Sequence, residues 1–415
     1  MPDKNVRRAA VSALRAWSKG YLYADSLVER HARRNHLSQS DRGLLNSILL
    51  SVLRNRSLLD HWIGMLRKGK LDHETRDILR VGVCQLLLLG IPDHAAVNET
   101  VGCARRAVRG LINAVLRRAV AARNTLFSER EKLPPALRFS HPEWLCKRWD
   151  RQFGSAATQT ILSWNNEPAP VILRLNPLAP SQLDASPVEG LTPAGVDGYF
   201  LLDGLLPPHW TDEGLVYVQD PSTRLAVELL APQPGETILD ACAAPGGKSS
   251  LIAAAMQNEG VLFCTDSNAK RLPRLADNLK RQHLSISTEE VFDWTEEPPV
   301  EWKGRFDRIL LDVPCSNTGV LRRRVDVRWR LRLEQIEVLS NIQKQILRNA
   351  LPCLKPGGQL VYSTCSLEPE ENEEQIAAFQ DSHPEVELVE SRRSLPFQDG
   401  FDGSYAALLR LRGGS

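Results

Sequence analysis

The sequence predicts an α/β catalytic domain, a parallel sheet with helices on both faces, preceded by an all-helical domain and a small α+β linker. Three observations predict it. The first third repeats apolar residues at helical spacing, the last half alternates strand, turn and helix, and a proline- and aromatic-rich stretch separates them. At 415 residues the chain has length for two or three cores.

Residues 1–130 are read as the first domain. In Asp41–Leu53 the residues Leu44, Leu45, Ile48, Leu49, Val52 and Leu53 share one helical face, with Asp41 as the N-cap. Thr75–Leu89 and Asn98–Val120 are each read as one further helix. Between Pro2 and Pro134 only Pro92 interrupts, so a helical bundle is expected. The domain is also basic. It holds 23 Lys/Arg against 11 Asp/Glu, a balance of +12, although the whole chain carries only +2. Such asymmetry points to a polyanionic partner, with a solvated helical surface as the bland alternative.

Pro134-Pro135 marks a boundary, and residues 135–215 are read as the linker domain, with a short apolar strand at Pro170–Leu175. His141 and Trp144 there read as structural. Residues 216–415 are read as the catalytic domain. Its strands end on polar residues: Thr237–Leu239 at Asp240, Val261–Thr265 at Asp266, Arg308–Leu311 at Asp312 and Gln359–Ser363 at Thr364. Helical stretches intervene at Ser249–Gln257, Ala269–Gln282, Leu333–Leu351 and Pro369–Gln380. Ligands of such sheets bind beyond the carboxyl ends of the strands, where these residues lie.

Bulk composition narrows the class. Hydrophobic residues make up 42% and charged residues 25%, the balance of a globular protein. No apolar run approaches the ~18 residues of a membrane span. Met1–Arg8 lacks an apolar leader, so a cytoplasmic location without membrane association is expected. The eight cysteines include no CxxC pair, which disfavours structural zinc, and no metal is expected. In a reducing compartment they are thiols, either inert or chemically used.

Asp240-Ala-Cys-Ala-Ala-Pro-Gly-Gly-Lys248 follows the first of these strands and opens a helix. Small residues there let backbone approach a ligand at a helix N-terminus. It is neither GxGxxG nor a P-loop, which disfavours nicotinamide and ATP. Asp266 is placed to accept ribose hydroxyls, and Asp293, after a short Glu290–Phe292 strand, to meet an adenine amino group. Acids that merely cap turns are the alternative, one that weakens as the acids recur at successive strand ends.

Two more strand-end segments are Asp312-Val-Pro-Cys-Ser316 and Ser363-Thr-Cys-Ser366. Methylating C5 of cytosine needs a thiolate to add at C6, an acid near N3, a base for the C5 proton and a methyl donor. Cys365, Asp312 and the Asp240–Lys248 turn supply the cysteine, the carboxyl group and the methyl-donor site on one sheet edge. Cys84, Cys103, Cys146, Cys264 and Cys353 fit inert thiols; Cys315 and Cys365 differ in following strands, within turns beside a carboxylate.

The chain resembles the bacterial 16S ribosomal RNA (cytosine-C5) methyltransferase family called RsmB, Sun or Fmu, within the NOL1/NOP2/Sun group. The resemblance rests on Val218-Gln-Asp-Pro-Ser222, Asp240–Lys248, Asp312–Ser316 with Thr318-Gly-Val320, Lys355-Pro-Gly-Gly358 and Tyr362–Ser366. It implies a Rossmann-like S-adenosylmethionine-dependent methyltransferase domain and an N-terminal NusB-like RNA-binding domain. It further implies that Cys242, Ala243, Ala244, Pro245, Gly246, Gly247, Lys248, Asp266, Asp293 and Asp312 bind S-adenosylmethionine. Cys365 is then the nucleophile, Cys315 the cysteine that helps release product, and Asp312 also serves N3. Ala96–Thr100 and Gly110–Arg117 match the NusB-like pattern, with a shorter segment between them than usual. Asp402-Gly-Ser-Tyr405 stands where Asp-Gly-Phe-Phe is expected.

The expected partner is small-subunit ribosomal RNA, unpaired at the target, met by a monomer. Transfer RNA is the runner-up substrate, and an inactive RNA-binding assembly factor or a protein methyltransferase are readings from other classes. Arg322-Arg-Arg324, Asp326, Arg328 and Trp329 are read as an RNA-contacting loop, with Trp329 stacking on a base or packing under the loop and a solvated charged face as the bland alternative.

Overall fold

The computed structural model describes residues 5–180 and 190–412. The reading of a leaderless N-terminus therefore lies partly outside the described residues. The chain forms two compact units, one of residues 1–168 with 321–330, the other of residues 169–320 with 331–415. Among the described residues no helix is long and apolar enough to cross a membrane.

The first unit is helical: α1 (Val6–Trp17), α2 (Ala24–Arg34), α3 (Gln39–Arg54), α4 (Arg56–Leu66), α5 (His73–Leu87), α6 (Asp93–Gly102), α7 (Arg109–Ala121), α8 (Arg123–Glu131), α9 (Pro135–Arg138), α10 (Glu143–Phe153) and α11 (Ser155–Asn166). Leu45, Ile48, Leu49, Val52 and Leu53 of α3 are buried in its core, as their spacing predicts. Two details differ. The cap of α3 is Ser38, whose hydroxyl accepts the Asp41 N–H at 3.1 Å, so Asp41 sits inside the first turn. The Asn98–Val120 stretch is two helices. Backbone N–H groups of Cys103 and Ala104 close tight turns onto Thr100 and Val101 after Gly102, and Arg109 Nε donates to the Ala104 carbonyl at 3.0 Å. Apolar periodicity runs through the break because both pieces pack on one core.

The arginine loop is corrected more sharply. Leu321–Arg330 belongs to the helical unit. Arg328 is fully buried and donates to Asn166 Oδ1 at 2.7 Å and the Asn165 carbonyl at 2.8 Å. Asp326 is buried and accepts the Ala24 N–H at 2.9 Å, while Trp329 Nε1 donates to the Leu53 carbonyl at 2.7 Å. Arg322 lies over the Trp164 ring at 4.0 Å. These side chains hold the loop in place, and of the three consecutive arginines only Arg324 is exposed.

The second unit contains two sheets. The small one is antiparallel: β1 (Val171–Leu175), β2 (Leu191–Pro193), β3 (Tyr199–Leu202) and β4 (Val216–Val218), in the order β2-β3-β1-β4. The large one comprises β5 (Thr237–Asp240), β6 (Val261–Asp266), β7 (Ser287–Val291), β8 (Phe306–Asp312), β9 (Leu354–Thr364), β10 (Val386–Ser394) and β11 (Ser404–Leu411). Its order is β10-β11-β9-β8-β5-β6-β7. Strands β5 to β9 are parallel, as expected. Strands β10 and β11 pair antiparallel at one edge, making the sheet mixed, because no crossover helix of useful length separates them.

The helices of this unit are α12 (Pro208–Asp212), α13 (Arg224–Leu230), α14 (Gly247–Ala255), α15 (Leu272–Arg281), α17 (Leu333–Ala350), α18 (Glu373–Ser382) and α19 (Pro396–Asp399), while α16 (Val327–Arg330) lies in the loop of the helical unit. Neighbouring strand residues face opposite ways. Ile238, Leu262, Leu310 and Val361 pack with α13, α14 and α15, whereas Leu239, Ile309, Leu311 and Tyr362 pack with α17 and α18. Both faces are covered, so the functional surface is left to the strand ends. Tyr405 is buried on β11 and packs in the core.

Removing the Arg328 guanidinium leaves buried carbonyls without donors, at about 1–3 kcal/mol for each group stranded. Arg328→Ala is therefore expected to lower the urea midpoint of the full chain, and Arg324→Ala to leave it in place. Equal midpoints for the two variants would refute the structural assignment of Arg328.

Candidate active site

The site forms where β5, β8 and β9 end side by side. Asp240 is paired with Leu310 of β8, and Asp312 with Ser363 of β9, so the turns leaving β8 and β9 start level with each other. Cys315 Sγ and Cys365 Sγ come within 3.2 Å. Cys315 is buried, Cys365 half-buried, and the Cys365 thiol also donates to Asn317 Oδ1 at 3.3 Å. Gly319 permits this closeness. Its N–H reaches the Cys365 carbonyl at 3.0 Å, and a Cβ there would lie 2.4 Å from the Gly403 carbonyl oxygen.

Cys315 is the more buried of the two thiols. The hydrogen bond to Cys365 first, then burial, then the charges of Cys365 and Glu371, push the Cys315 thiol well above its ordinary value. Cys315 therefore holds its proton more tightly than an ordinary thiol.

Asp312 is oriented from two sides. Its Oδ1 accepts from Ser363 Oγ at 2.9 Å and its Oδ2 pairs with Lys248 Nζ at 2.7 Å. Burial works against the Lys248 ammonium, but Asp312, its hydrogen bond and the nearby Cys365 outweigh burial and hold it above its usual value. Lys248 thus links the turn after β5 to the cysteine side of the site.

That turn is tightly built. Gly246 has φ +101°, and a Cβ on Gly247 would lie 2.9 Å from Gln219 Nε2 and 3.1 Å from Tyr217. The glycines therefore answer first to protein neighbours that fill the space beside them. Asp240 is fully buried; its Oδ2 accepts from Ser249 Oγ at 2.7 Å and its Oδ1 has no hydrogen-bond partner among the described residues. Burial, only partly offset by Ser249, pushes its carboxyl up to about 7.

The profile of a 16S rRNA methyltransferase RsmB/F family matches residues 227–409, that of the NusB family residues 4–121, and that of an RsmF/B-like ferredoxin-like domain residues 141–191. The ribosomal RNA small subunit methyltransferase B of Vibrio cholerae serotype O1 is 36% identical over 98% of this chain and 97% of its own length. The chain belongs to the RsmB/F family of 16S rRNA methyltransferases. The enzyme of that name from Escherichia coli O7:K1 is 37% identical over 90% of this chain and 91% of its own. Among solved structures, PH0851 superposes with a TM-score of 0.78 at 25% identity, covering 98% of each chain. NSun6 from Pyrococcus horikoshii with SFG gives 0.58 at 21% identity over 66% of this chain and 99% of its own, a likeness of fold.

Within this RsmB/F-family enzyme the structure brings Cys315, Cys365, Asp312 and Lys248 together. Asp266 ends β6, buried, with Oδ2 at 3.2 Å from the half-exposed Arg271 and Oδ1 accepting the Asn268 N–H at 3.0 Å. Asp293 lies beyond β7, exposed, its Oδ1 accepting from the N–H and hydroxyl of Thr295 at 2.9 and 2.8 Å. Cys242 lies between the acids, and burial with Asp312, Asp240 and Asp266 pushes its thiol well up, away from nucleophilic use. Sequence reasoning missed Asn317, Glu371 and Asn372. The left-handed φ of +59° at Asn317 follows from an Asn in a turn, a detectable signal. Glu371 and Asn372 sit in an acidic run that reads as an ordinary helix start.

Asp240 makes folding stability depend on pH. Between 3.8 and about 7 the unfolded chain has released a proton that the folded state keeps, so stability falls as pH rises through this window. A shift of this size corresponds to about 4 kcal/mol. Asp240→Asn cannot ionise and is expected to flatten this part of the profile when urea midpoints are compared at pH 5 and pH 8. A variant with the parent's full pH dependence would contradict the assignment.

Proposed function

We propose that this enzyme methylates C5 of a cytosine in 16S ribosomal RNA through a covalent adduct at Cys365, with S-adenosylmethionine as donor. The observation that carries this is the pair of sulfurs 3.2 Å apart, next to an aspartate that is itself paired with Lys248. A methyltransferase acting on an already nucleophilic atom needs neither cysteine.

The residues beyond β5, β6 and β7 fit the donor. Their chemistry is carboxylate-rich, with Asp266 suited to ribose hydroxyls and Asp293 to an adenine amino group, around the small-residue turn Cys242–Lys248. S-adenosylmethionine, when bound there, supplies an electrophilic methyl group for which an activated C5 is the nucleophile.

The chain's own residues do the rest. The Cys365 thiol gives up its proton to solvent, and the thiolate adds to C6 of an unstacked cytosine, forming a C–S bond and pushing the ring electrons toward C5. Asp312, oriented by Ser363 and Lys248, faces N3, and the Lys248 ammonium is the proton source from which the pair neutralises the developing charge there. Once Cys365 is a thioether, the hydrogen bond that kept Cys315 protonated is gone. The Cys315 proton then passes to solvent, and its thiolate takes the C5 proton. The C6–S bond breaks, its electron pair returns to Cys365, and the N3 proton goes back to Lys248. The exposed arginines of the helical unit, Arg106 and Arg117 among them, supply the phosphate-binding charge that the basic first third implies.

Cys365→Ala is expected to abolish transfer of labelled methyl to undermodified 16S RNA while cofactor binding persists. Cys315→Ala is expected to accumulate an RNA–protein adduct that survives a denaturing gel. Methylation by Cys365→Ala, or free product from Cys315→Ala at the parent's rate, would remove the corresponding role.

A further inference from the structure

Glu371 closes the short turn Pro369–Glu371 between β9 and α18, and it is fully buried. The reaction above makes no use of it. Yet its carboxylate touches both cysteine turns. Oε1 accepts the Ser316 N–H at 2.8 Å and Gln343 Nε2 at 3.0 Å. Oε2 accepts Ser366 Oγ at 2.5 Å and also the Ser316 hydroxyl. Ser316 is the residue after Cys315, and Ser366 the residue after Cys365.

The surroundings complete a closed network. Ser316 Oγ and Ser366 Oγ are 2.9 Å apart, with Thr318 Oγ1 3.4 Å from the first and 3.3 Å from the second. Tyr362 OH donates to the Glu371 carbonyl at 2.6 Å, which fixes the backbone that carries the carboxylate. Asn372 then brackets the nucleophile, accepting from Thr364 Oγ1 at 2.5 Å and donating to the Ser366 carbonyl at 2.9 Å.

A buried carboxylate costs several kcal/mol to desolvate and is tolerated only when its lone pairs are filled. Here they are filled by neutral donors from Ser316 and Ser366, 50 residues apart, and from Gln343 of α17, without a cation among the described residues. An apolar side chain would fill the same space at less cost but could not tie the two turns together. Such a network has one well-defined geometry, since each lost contact strands a polar group in a low dielectric.

We propose that Glu371 is a positioning residue for methyl transfer, which holds the Cys315 and Cys365 turns on a single carboxylate and so sets the spacing of the two sulfurs. This rests on the two-cysteine reading above.

Two readouts on the full-length enzyme test it. The first is kinetic. Glu371→Ala should lower kcat on the order of 10²-fold, the scale of an ångström-sized misplacement, with the KM for RNA and S-adenosylmethionine binding unchanged. Glu371→Gln should restore most of the loss. Its carbonyl can still take the Ser316 N–H and Gln343, and its amide can donate to the two hydroxyls.

The second reads geometry without RNA. Diamide is reduced to the hydrazine as two thiols give up their hydrogens and form a disulfide, and mass spectrometry of the Cys315–Cys365 linked peptides gives the rate of closure. Glu371→Ala should slow closure about tenfold or more, by lowering the effective molarity of one thiol at the other, and Glu371→Gln should not. Parental closure in Glu371→Ala, or a Gln variant as impaired as the Ala variant, would overturn the clamp. Slowed closure with undiminished methyl transfer would instead keep the clamp and overturn the two-cysteine reading. Should Glu371→Ala fail to fold, Ser366→Ala removes one arm of the network and should show smaller losses in both readouts; no loss in either would overturn the proposal.

Discussion

The parallel pairing of β8 with β9 is the constraint on which the site depends. With Asp312 level with Ser363, the two strands deliver their next residues to one small volume, and two cysteines far apart in the chain become neighbours. A register slip would turn every side chain on one strand to the other face. The hydrophobic alternation that forbids such a slip, Leu310 to one core and Leu311 to the other, therefore also protects the chemistry.

The same convergence loads the site with charge. Asp240, Asp266 and Asp312 approach one another at the strand ends, and the charge of Lys248 offsets only part of that repulsion. A buried Asp240, without a partner for one oxygen among the described residues, is a poor choice for stability alone. Functional sites are where such local costs are expected, repaid by the packed sheet beneath them. The helical unit also buries a charged group at Arg328, whose terminal nitrogens donate to Asn166 Oδ1 and the Asn165 carbonyl while its Nε has no hydrogen-bond partner among the described residues.

Much of this was legible in the sequence. The strands ending at Asp240, Asp266, Asp312 and Thr364 could be read because alternation of strand and helix survives in local composition. Cys315 and Cys365 stood out because both follow such strands in similar turns. What could not be read depends on contacts between distant segments. Arg328 and Trp329 look like nucleic-acid contacts in isolation, and only the fold reveals carbonyls waiting for them. Glu371 looks like one acid in a run of four, and only its burial against Ser316 and Ser366 sets it apart. The edge pair β10–β11 was hidden for a related reason, since strand direction is a tertiary property.

The central claim is that Cys365, and not its neighbour, bonds to the pyrimidine ring. RNA carrying 5-fluorocytosine at the target tests it most directly, because fluorine at C5 cannot leave as a proton and the methylated adduct cannot resolve. Mass spectrometry of the trapped complex should locate the nucleotide on the peptide containing Cys365, with the added methyl present. A nucleotide on Cys315, or methylated RNA with no adduct on either sulfur, would contradict the account.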